Sequence, residues 1–516
     1  IKCGNSLIGY DIFDDLFSPV IPASTSVIPA KAGIQEKDTG FRVKHGMTEK
    51  EELTEEDRSR INPFDWNSKS VGFGEIMGYG GFDVVIGNPP YFNISIVDKE
   101  IFHYLESRYP EIHTGYNDIM YYFIYKGIEV LNKNGIYGVI TSNYYLGNTN
   151  ARLLRKYLKE HVTKIINFKD YLVFEDANVH TNIIIAQKNP KANEIHFFEK
   201  TDKQTFNPAD LEANLNHFTL SRKKLSEDWV VGGDKSLSLI DKVKSKKTPL
   251  GNLAVIEKGS TSGKNKVFTV SYKFAKKNKF EKDILRRNVK NSDIERYLLK
   301  ERQNYLIYVD NNTDIKTYPN IYNYLSKHKK ELSERNEVKR GLYDWYRLER
   351  PRRKEIFDSP EKLVVPYRAE YNKFAYDNEQ YFNDGGDIRV IVLMQGVDIN
   401  IRYVLGILNS KLMNWYYGFI GKPKGKSREY FNEPMSKIPI RTINFNNPSE
   451  KATHDKVVSL VDKMLELHKK KNSLPPSAER EKIEREIAVT DEKIDEIVYG
   501  LYGVTGEEKK IVEDGF

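Results

Sequence analysis

The stretch that decides the fold is Gly81-Phe82-Asp83-Val84-Val85-Ile86-Gly87-Asn88-Pro89-Pro90-Tyr91. Its first half, residues 82–86, is a run of apolar and β-branched residues and predicts a buried strand. Its second half, residues 88–91, ends that strand, because proline fixes its own φ angle and has no N–H for a ladder. A turn directly after a strand of an α/β sheet lies where such sheets bind ligands.

Strand and helix patterns alternate on the carboxyl side of this stretch. Helical apolar spacing is found at 120–131 and 152–161. Further strands are predicted at 135–140, 164–168 and 182–186. This alternation is typical of an α/β fold and predicts a mostly parallel sheet with helices on its faces.

Length and composition exclude several classes of protein. At 516 residues, with 39% hydrophobic and 30% charged residues, the chain should form two or three units with buried cores. No apolar run reaches the eighteen or so residues that a membrane span requires. The single cysteine, Cys3, excludes an internal disulfide scaffold and suits a cytoplasmic location. The ten histidines lack ligand spacing, so no metal site is predicted.

The turn at 88–91 has a chemical interpretation and a simple structural one. Because the two prolines are rigid, the Asn88 amide oxygen and the Pro89 carbonyl can together accept both hydrogens of an exocyclic amine. Tyr91 offers a flat face on which a heterocycle can stack. The alternative is a proline-stiffened turn without chemistry.

These residues resemble motif IV of the N6-adenine DNA methyltransferases. More closely, the chain resembles the methyltransferase and specificity portion of type IIG restriction–modification enzymes, with motifs in the gamma order. Supporting stretches are Phe64-Asp65-Trp66, Tyr116-Asn117-Asp118, Gly135 to Tyr145, and Phe174 to Ile183, the last resembling motif VIII. The resemblance implies an incomplete Rossmann-like methyltransferase sheet, then a mixed α/β target-recognition domain and a helical C-terminal tail.

The resemblance also implies a reaction. A flipped adenine receives a methyl group on N6 from S-adenosyl-L-methionine, with Asn88, Pro89, Pro90 and Tyr91 as the catalytic residues. Tyr91 and Phe174 would stack on the two faces of the base, although a lone phenylalanine is otherwise a core residue. No metal is required, because the sulfonium donor is already activated.

The cofactor motif that should precede this region is not evident. Gly4-Asn5-Ser6-Leu7 resembles motif III, with Asn5 as a candidate contact to the cofactor adenine, although the family usually has aspartate there. Residues 17–60 read as an insertion containing the duplicated Val-Ile-Pro-Ala segment. We therefore expect an upstream polypeptide to carry the glycine-rich cofactor motif and a nuclease.

The basic half of the chain is expected to bind double-stranded DNA. Residues 241–300 hold 17 Lys and Arg against 6 Asp and Glu, although such an excess can also be merely a solvated surface. Residues 255–268 resemble the start of a TaqI-type specificity domain. The candidate DNA contacts are Lys264, Lys266, Arg286, Arg287, Arg347, Arg350, Arg352 and Arg353.

The predicted domains are a catalytic part at 1–190, a connector at 191–247, a target-recognition domain at 248–445 and a helical tail at 446–516. Two functions remain open. The first is a site-specific adenine methyltransferase of a restriction–modification system. The second is a catalytically inactive DNA-binding fragment or specificity module of such an enzyme.

Overall fold

The computed structural model describes residues 6–9, 61–169, 171–174, 179–200, 215–225, 229, 233–424 and 426–514. Asn5 and the insertion predicted at 17–60 lie outside the described residues. The chain divides into two compact units, Ile1–Trp229 and Val230–Phe516.

The first unit is built around a six-stranded sheet with strand order β1-β2-β4-β3-β5-β6. Its strands are β1 Phe82–Gly87, β2 Leu131–Ser142, β3 Val162–Asn167, β4 Thr181–Gln187, β5 Glu194–Glu199 and β6 Asn216–Ser221. Its described α-helices are α1 Gly74–Gly78, α2 Lys99–Arg108, α3 Met120–Glu129 and α4 Arg152–His161. The strands and helices predicted between residues 82 and 186 are confirmed.

The expectation of a mostly parallel sheet is wrong. Only β1 with β2 and β3 with β5 are parallel, whereas β4 runs antiparallel to both of its neighbours. The physical reason lies in the connection from β3 to β4, which contains no α-helix among its described residues. A parallel neighbour needs a long crossover, usually helical, while a direct return gives an antiparallel pair.

The segment predicted as a connector at 191–247 contributes β5 and β6 to the same sheet. Phe197 of β5 is fully buried and stacks on Phe218 of β6, with ring centroids 5.5 Å apart. Each strand has only six residues and is surrounded by lysines, so its alternation is weak in the sequence. Pairing with neighbouring strands stabilises β5 and β6, which the local sequence pattern did not predict.

Helix α3 packs closely on β2 because Gly127 has no side chain. A Cβ placed on Gly127 would lie 2.3 Å from the ring of Tyr137, which β2 presents to the helix. The buried face of α3 includes Met120, Tyr121 and Ile124. This contact sets the height of α3 against the sheet beside the carboxyl end of β1.

The second unit combines four small sheets with helices. Its strands are β7 Thr248–Pro249, β8 Ala254–Lys258, β9 Thr269–Ser271, β10 Leu285–Arg287, β11 Asn304–Ile307, β12 Lys362–Pro366, β13 Arg368–Ala369, β14 Ala375–Asp377, β15 Ile388–Leu393, β16 Lys422–Lys424, β17 Ser427–Glu429 and β18 Pro439–Ile440. The largest sheet is antiparallel, with order β14-β12-β15-β8. The mixed α/β character predicted for this region is confirmed.

The α-helices of the second unit surround these sheets and form its carboxyl end. They are α5 Asp234–Lys244, α6 Asn265–Phe268, α7 Tyr272–Lys277, α8 Pro319–Ser326, α9 Lys329–Ser333, α10 Asn336–Lys339, α11 Lys354–Phe357, α12 Ile401–Asn409, α13 Lys411–Ile420, α14 Asn432–Ser436, α15 Pro448–Ser473, α16 Ala478–Tyr502 and α17 Gly506–Asp514. Helix α15 begins after Asn447, whose side chain accepts hydrogen bonds from two backbone amides of the first turn. The predicted helical C-terminal region is confirmed.

Candidate active site

The turn after β1 is tied both to itself and to the neighbouring strand. The Tyr91 hydroxyl donates to the Asn88 amide oxygen at 2.5 Å and lies 3.1 Å from the Ile140 carbonyl oxygen of β2. Pro89 is buried, while Asn88 and Pro90 are exposed. Tyr91 therefore closes the turn on itself and ties it to β2, while the Asn88 side chain stays accessible.

The electrostatics of this turn keep Tyr91 a hydrogen-bond donor. A tyrosine hydroxyl is protonated at neutral pH, and burial raises the pKa of Tyr91 further above that range. Its hydrogen bond uses one lone pair of the Asn88 amide oxygen and leaves the second available. An amine hydrogen can therefore be accepted there while the amide plane is held in place.

Phe174 lies in the connection between β3 and β4, and the sheet topology places that connection at the same edge. The carboxyl end of β2 pairs with the amino end of β4 through Ser142 opposite Thr181. The Asn143 amide donates to the His180 carbonyl at 3.0 Å. Because β1 runs parallel to β2, the turn at 88–91 and the half-buried Phe174 belong to one edge of the sheet.

A second loop braces the segment that follows Tyr91. The Ile94 amide donates to the Asn117 carbonyl and the Ile119 amide donates to the Phe92 carbonyl, each at 2.9 Å. The Asn117 side chain is fully buried and donates to the Ile112 carbonyl at 2.8 Å. Sequence reasoning identified this stretch only as a resembling motif and missed the bracing role of Asn117, for which a polar residue within a turn is the only local signal.

A cavity of about 270 Å³ opens beside the carboxyl end of β1. Trp66 forms one wall, and its indole N–H donates to the Ser6 carbonyl at 3.1 Å. The Lys126 ammonium lies 5.5 Å from the centre of the Trp66 ring. The lining residues are Ser6, Trp66, Val85, Ile86, Gly87, Asn88, Pro89, Pro90, Phe123, Lys126, Gly127, Val130 and Tyr137. The cavity therefore shares Asn88 with the turn.

In the second unit, most of the predicted DNA contacts lie beside carboxylates. Each of five candidates forms an ion pair: Lys264 with Glu331, Arg286 with Asp358, Arg287 with Glu379, Arg350 with Glu337, and Arg353 with Glu257. Arg347 instead lies over the Tyr343 ring at 4.8 Å, and burial lowers its pKa. Arg352 and the exposed Lys266 make no ion pair within the described part of the chain.

Buried polar groups that sequence reasoning missed hold the loops carrying these residues. The Asp384 carboxylate accepts from the Ser262 amide at 2.8 Å and from its hydroxyl at 2.9 Å, and burial raises the pKa of Asp384. Arg335, only 6% exposed, donates to the Ser262 and Arg347 carbonyls. The Asn-Asp-Gly-Gly turn at 383–386 was the available signal for Asp384.

Two family models match the chain, one in each unit. An Eco57I restriction-modification methylase model matches residues 28–174, and a TaqI-like C-terminal specificity domain model matches residues 288–440. The chain thus joins an Eco57I-type methylase domain to a TaqI-like specificity domain. The predicted resemblance is confirmed.

Relatives of the same kind extend over most of the chain. It is 25% identical over 548 aligned residues to the type II restriction enzyme and methyltransferase RM.Eco57I of Escherichia coli, covering 96% of this chain and 52% of that protein. It is also 25% identical to the type II methyltransferase M.HindII of Haemophilus influenzae, covering 74% and 79%. The chain therefore spans about half the length of the first of these relatives.

A solved structure shows the same fold. The type IIL restriction-modification enzyme MmeI, determined in complex with DNA, superposes with a TM-score of 0.58 at 14% identity, covering 84% of this chain and 56% of that one. At that identity the likeness concerns the fold of the methylase and specificity domains and does not extend to individual side chains.

The cofactor that the methylase domain implies is S-adenosyl-L-methionine. The described residues fit part of such a molecule: the cavity adjoins Asn88 and has an aromatic wall in Trp66. However, its described lining contains no carboxylate to bind ribose hydroxyls or an amino group.

Within the described ranges, no group of His, Cys, Asp and Glu is arranged to hold a metal ion. None of the described helices is both long and apolar enough to cross a membrane.

Proposed function

We propose that the chain is the methyltransferase and specificity portion of a type IIG restriction–modification enzyme. It would transfer a methyl group from S-adenosyl-L-methionine to N6 of an adenine flipped out of double-stranded DNA, in the cytoplasm. The observation that carries this proposal is the turn at 88–91, where an exposed Asn88 is fixed by the Tyr91 hydroxyl at the carboxyl end of a strand.

The chemistry of the turn follows from its acceptors. The lone pair of an exocyclic amine is delocalised into its ring, so the amine is a weak nucleophile. Acceptance of its hydrogens by the Asn88 amide oxygen and the Pro89 carbonyl favours a pyramidal nitrogen and stabilises positive charge as the bond forms. The bound cofactor supplies an electrophilic methyl group. The amine proton then leaves to solvent, since Asn88 is exposed.

The base itself would be held between two aromatic rings. Tyr91 is half-buried and its hydroxyl is fixed by Asn88, so its ring has a defined orientation. Phe174 is half-buried on the same sheet edge and is the proposed second face. Stacking of this kind contributes about 1–3 kcal/mol per base and partly offsets the free energy of unstacking it from the duplex.

We also infer that further polypeptide completes the cofactor site. The support is the described lining of the cavity, which offers the side next to the amine but no carboxylate. An upstream segment with a glycine-rich loop would supply the missing contacts, and a nuclease would accompany it. The specificity domain would select the DNA sequence.

The direct test is transfer of a labelled methyl group to duplex DNA, using the chain with any upstream polypeptide. Wild-type protein should label DNA, and digestion of the product should release N6-methyladenine. The exocyclic amine of cytosine presents the same two hydrogens to the turn, so cytosine is the alternative substrate. Release of N4-methylcytosine would therefore contradict the adenine assignment. Complete absence of transfer by the wild-type assembly would refute the catalytic proposal.

The second candidate is a DNA-binding module without catalytic activity, and the incomplete cavity lining favours it. Calorimetric titration of this chain with S-adenosyl-L-methionine separates the two. Saturable binding that weakens on substitution of Trp66 by alanine supports a working cofactor site. DNA binding with no heat from the cofactor, when the chain is titrated together with any upstream polypeptide, supports the inactive module.

A further inference from the structure

Three cations of the second unit form a group that we call the basic cluster: Lys258, Arg352 and Arg389. Lys258 ends β8 and lies directly opposite Arg389 of β15 in the antiparallel register. The Arg389 guanidinium donates to the Ile388 carbonyl at 2.8 Å and lies 5.0 Å from the centre of the Tyr367 ring. Arg389 is only 4% exposed, so its position is fixed by the fold.

Arg352 reaches the same place through an unusual turn. The loop before it is held to the segment that follows β8 by reciprocal backbone hydrogen bonds between Thr261 and Arg350, of 2.9 and 2.8 Å. Arg352 itself has φ of +64°, a left-handed conformation that non-glycine residues seldom adopt. Its buried Nε has no hydrogen-bond partner in the described part of the chain, and neither does the Nε of Arg389.

The cluster concentrates like charge. The pKa of Lys258 is lowered by burial and by the positive charges of Arg389 and Arg352. No carboxylate forms an ion pair with any of the three in the part of the chain that the structure describes. Asp387 raises the pKa of Arg389 by less than burial lowers it, and the Asp387 oxygens accept from the Asn383 side chain and the Asn291 amide. By contrast, five of the eight candidates predicted from sequence are already neutralised by carboxylates.

We infer that the basic cluster binds the phosphodiester backbone of DNA and fixes the position of the specificity domain on the duplex. The inference rests on the proposed function and names residues that make its DNA contacts. An incoming phosphate relieves the repulsion among the three cations. The exposed Lys258 and the partly exposed Arg352 would contact it, while the buried Arg389 adds positive charge beside Lys258. An ion-paired arginine would first have to give up its carboxylate. Backbone contacts carry no sequence information, so the cluster should act equally on target and non-target DNA.

The experiment measures binding of the full chain to fluorescently labelled random-sequence duplex DNA over a range of salt concentrations. The test protein is the double variant Lys258→Gln with Arg352→Gln, which leaves the buried Arg389 in place. The matched control is Arg287→Gln with Arg353→Gln, which removes two positive charges from exposed ion pairs. Each lost phosphate contact should lower the slope of log K against log salt by about 1. The test variant should therefore lose about 2 in slope, and the control much less.

An equal loss of slope in both double variants would overturn the inference, because a general charge effect would then explain it. An unchanged slope in the test variant, with normal DNA binding by the wild type, would overturn the cluster while leaving the proposed function intact. Failure of the wild type to bind duplex DNA would refute both. The single variant Lys258→Gln, at an exposed position, guards against misfolding and should lose about 1 in slope.

Discussion

The two units use polar residues in opposite ways. At the candidate active-site edge of the methylase domain, Asn88 is exposed and accepts a side-chain hydrogen bond from Tyr91. In the specificity domain, Lys362 and Asp377 form an ion pair of 2.8 Å with both side chains fully buried. A group that meets a substrate must be accessible, whereas two opposite charges that are both fully buried neutralise each other inside the domain and serve its architecture. In this chain, accessible polar groups such as Asn88 are therefore distinct from buried ion pairs such as Lys362 and Asp377, which stabilise the fold.

Substitution of Lys362 by methionine removes the buried ion pair and should have the largest effect on the free energy of unfolding. Asp377 would keep its hydrogen bonds from the Glu379 and Tyr381 amides but lose its counter-charge. The expected loss in free energy of unfolding is about 3–5 kcal/mol. Urea denaturation measures it, with Glu379→Gln as an exposed ion-pair control that should cost at most about 1 kcal/mol. Equal losses in the two variants would remove the distinction between buried and exposed pairs.

Substitution of Asn88 by alanine tests the accessible side. Removing the amide oxygen should lower the rate of methyl transfer by roughly 10²–10³-fold, because a fixed group that stabilises transition-state charge is lost. Stability should hardly change, since Asn88 is exposed. Single-turnover labelling of DNA measures the rate, and Asn134→Ala, at an exposed position in β2, is the control. A destabilised variant with normal transfer would show that Asn88 is structural.

The buried His468 should make the stability of the protein depend on pH. His468 is 7% exposed, neither ring nitrogen has a hydrogen-bond partner among the described residues, and burial lowers its pKa to about 4. In the unfolded chain its pKa is about 6.5, so the unfolded state binds a proton first. The stability from neutral His468 is therefore complete above pH 6.5 and is lost as the pH falls towards 4.

The measurement for His468 is urea unfolding at several values between pH 7 and pH 4. His468→Gln should remove up to about 3 kcal/mol of the acid-induced loss that the wild type shows. The same fall in stability in both proteins would mean that other groups govern this pH range.

The smallest expected effect concerns the hydrogen bond that orients Asn88. Tyr91→Phe keeps the ring for stacking but removes the hydroxyl, and the rate should fall by about tenfold at most, the value of one neutral hydrogen bond. Tyr91→Ala should lose more, because it also removes the stacking face. Methyl-transfer rates of the two variants give the comparison, and Tyr79→Phe, at a residue 90% exposed, is the control. Equal rates for Phe and Ala at position 91 would exclude a stacking role.

The sequence predicted much of the methylase domain because its signals are local. The strand at 82–87 ends at two prolines, and the helix at 152–161 follows its apolar spacing, so both were recognised correctly. The directions of β3 and β4 depend on which strands pair, and the strands β5 and β6 are too short to show their burial pattern alone. The specific roles of Asn88, Tyr91 and Phe174 stay predictions until the variants are measured.

By itself the sequence determined the α/β class, the turn at 88–91 and the basic character of the specificity half, because each is written in neighbouring residues. Only the tertiary structure decided which polar groups meet. It tied the Tyr91 hydroxyl to Asn88 and to the strand beyond it, and it brought Lys258 opposite Arg389 across 131 positions of chain. Charges far apart in the sequence attract or repel only after folding sets the distances between them, so their partners cannot be read from local pattern.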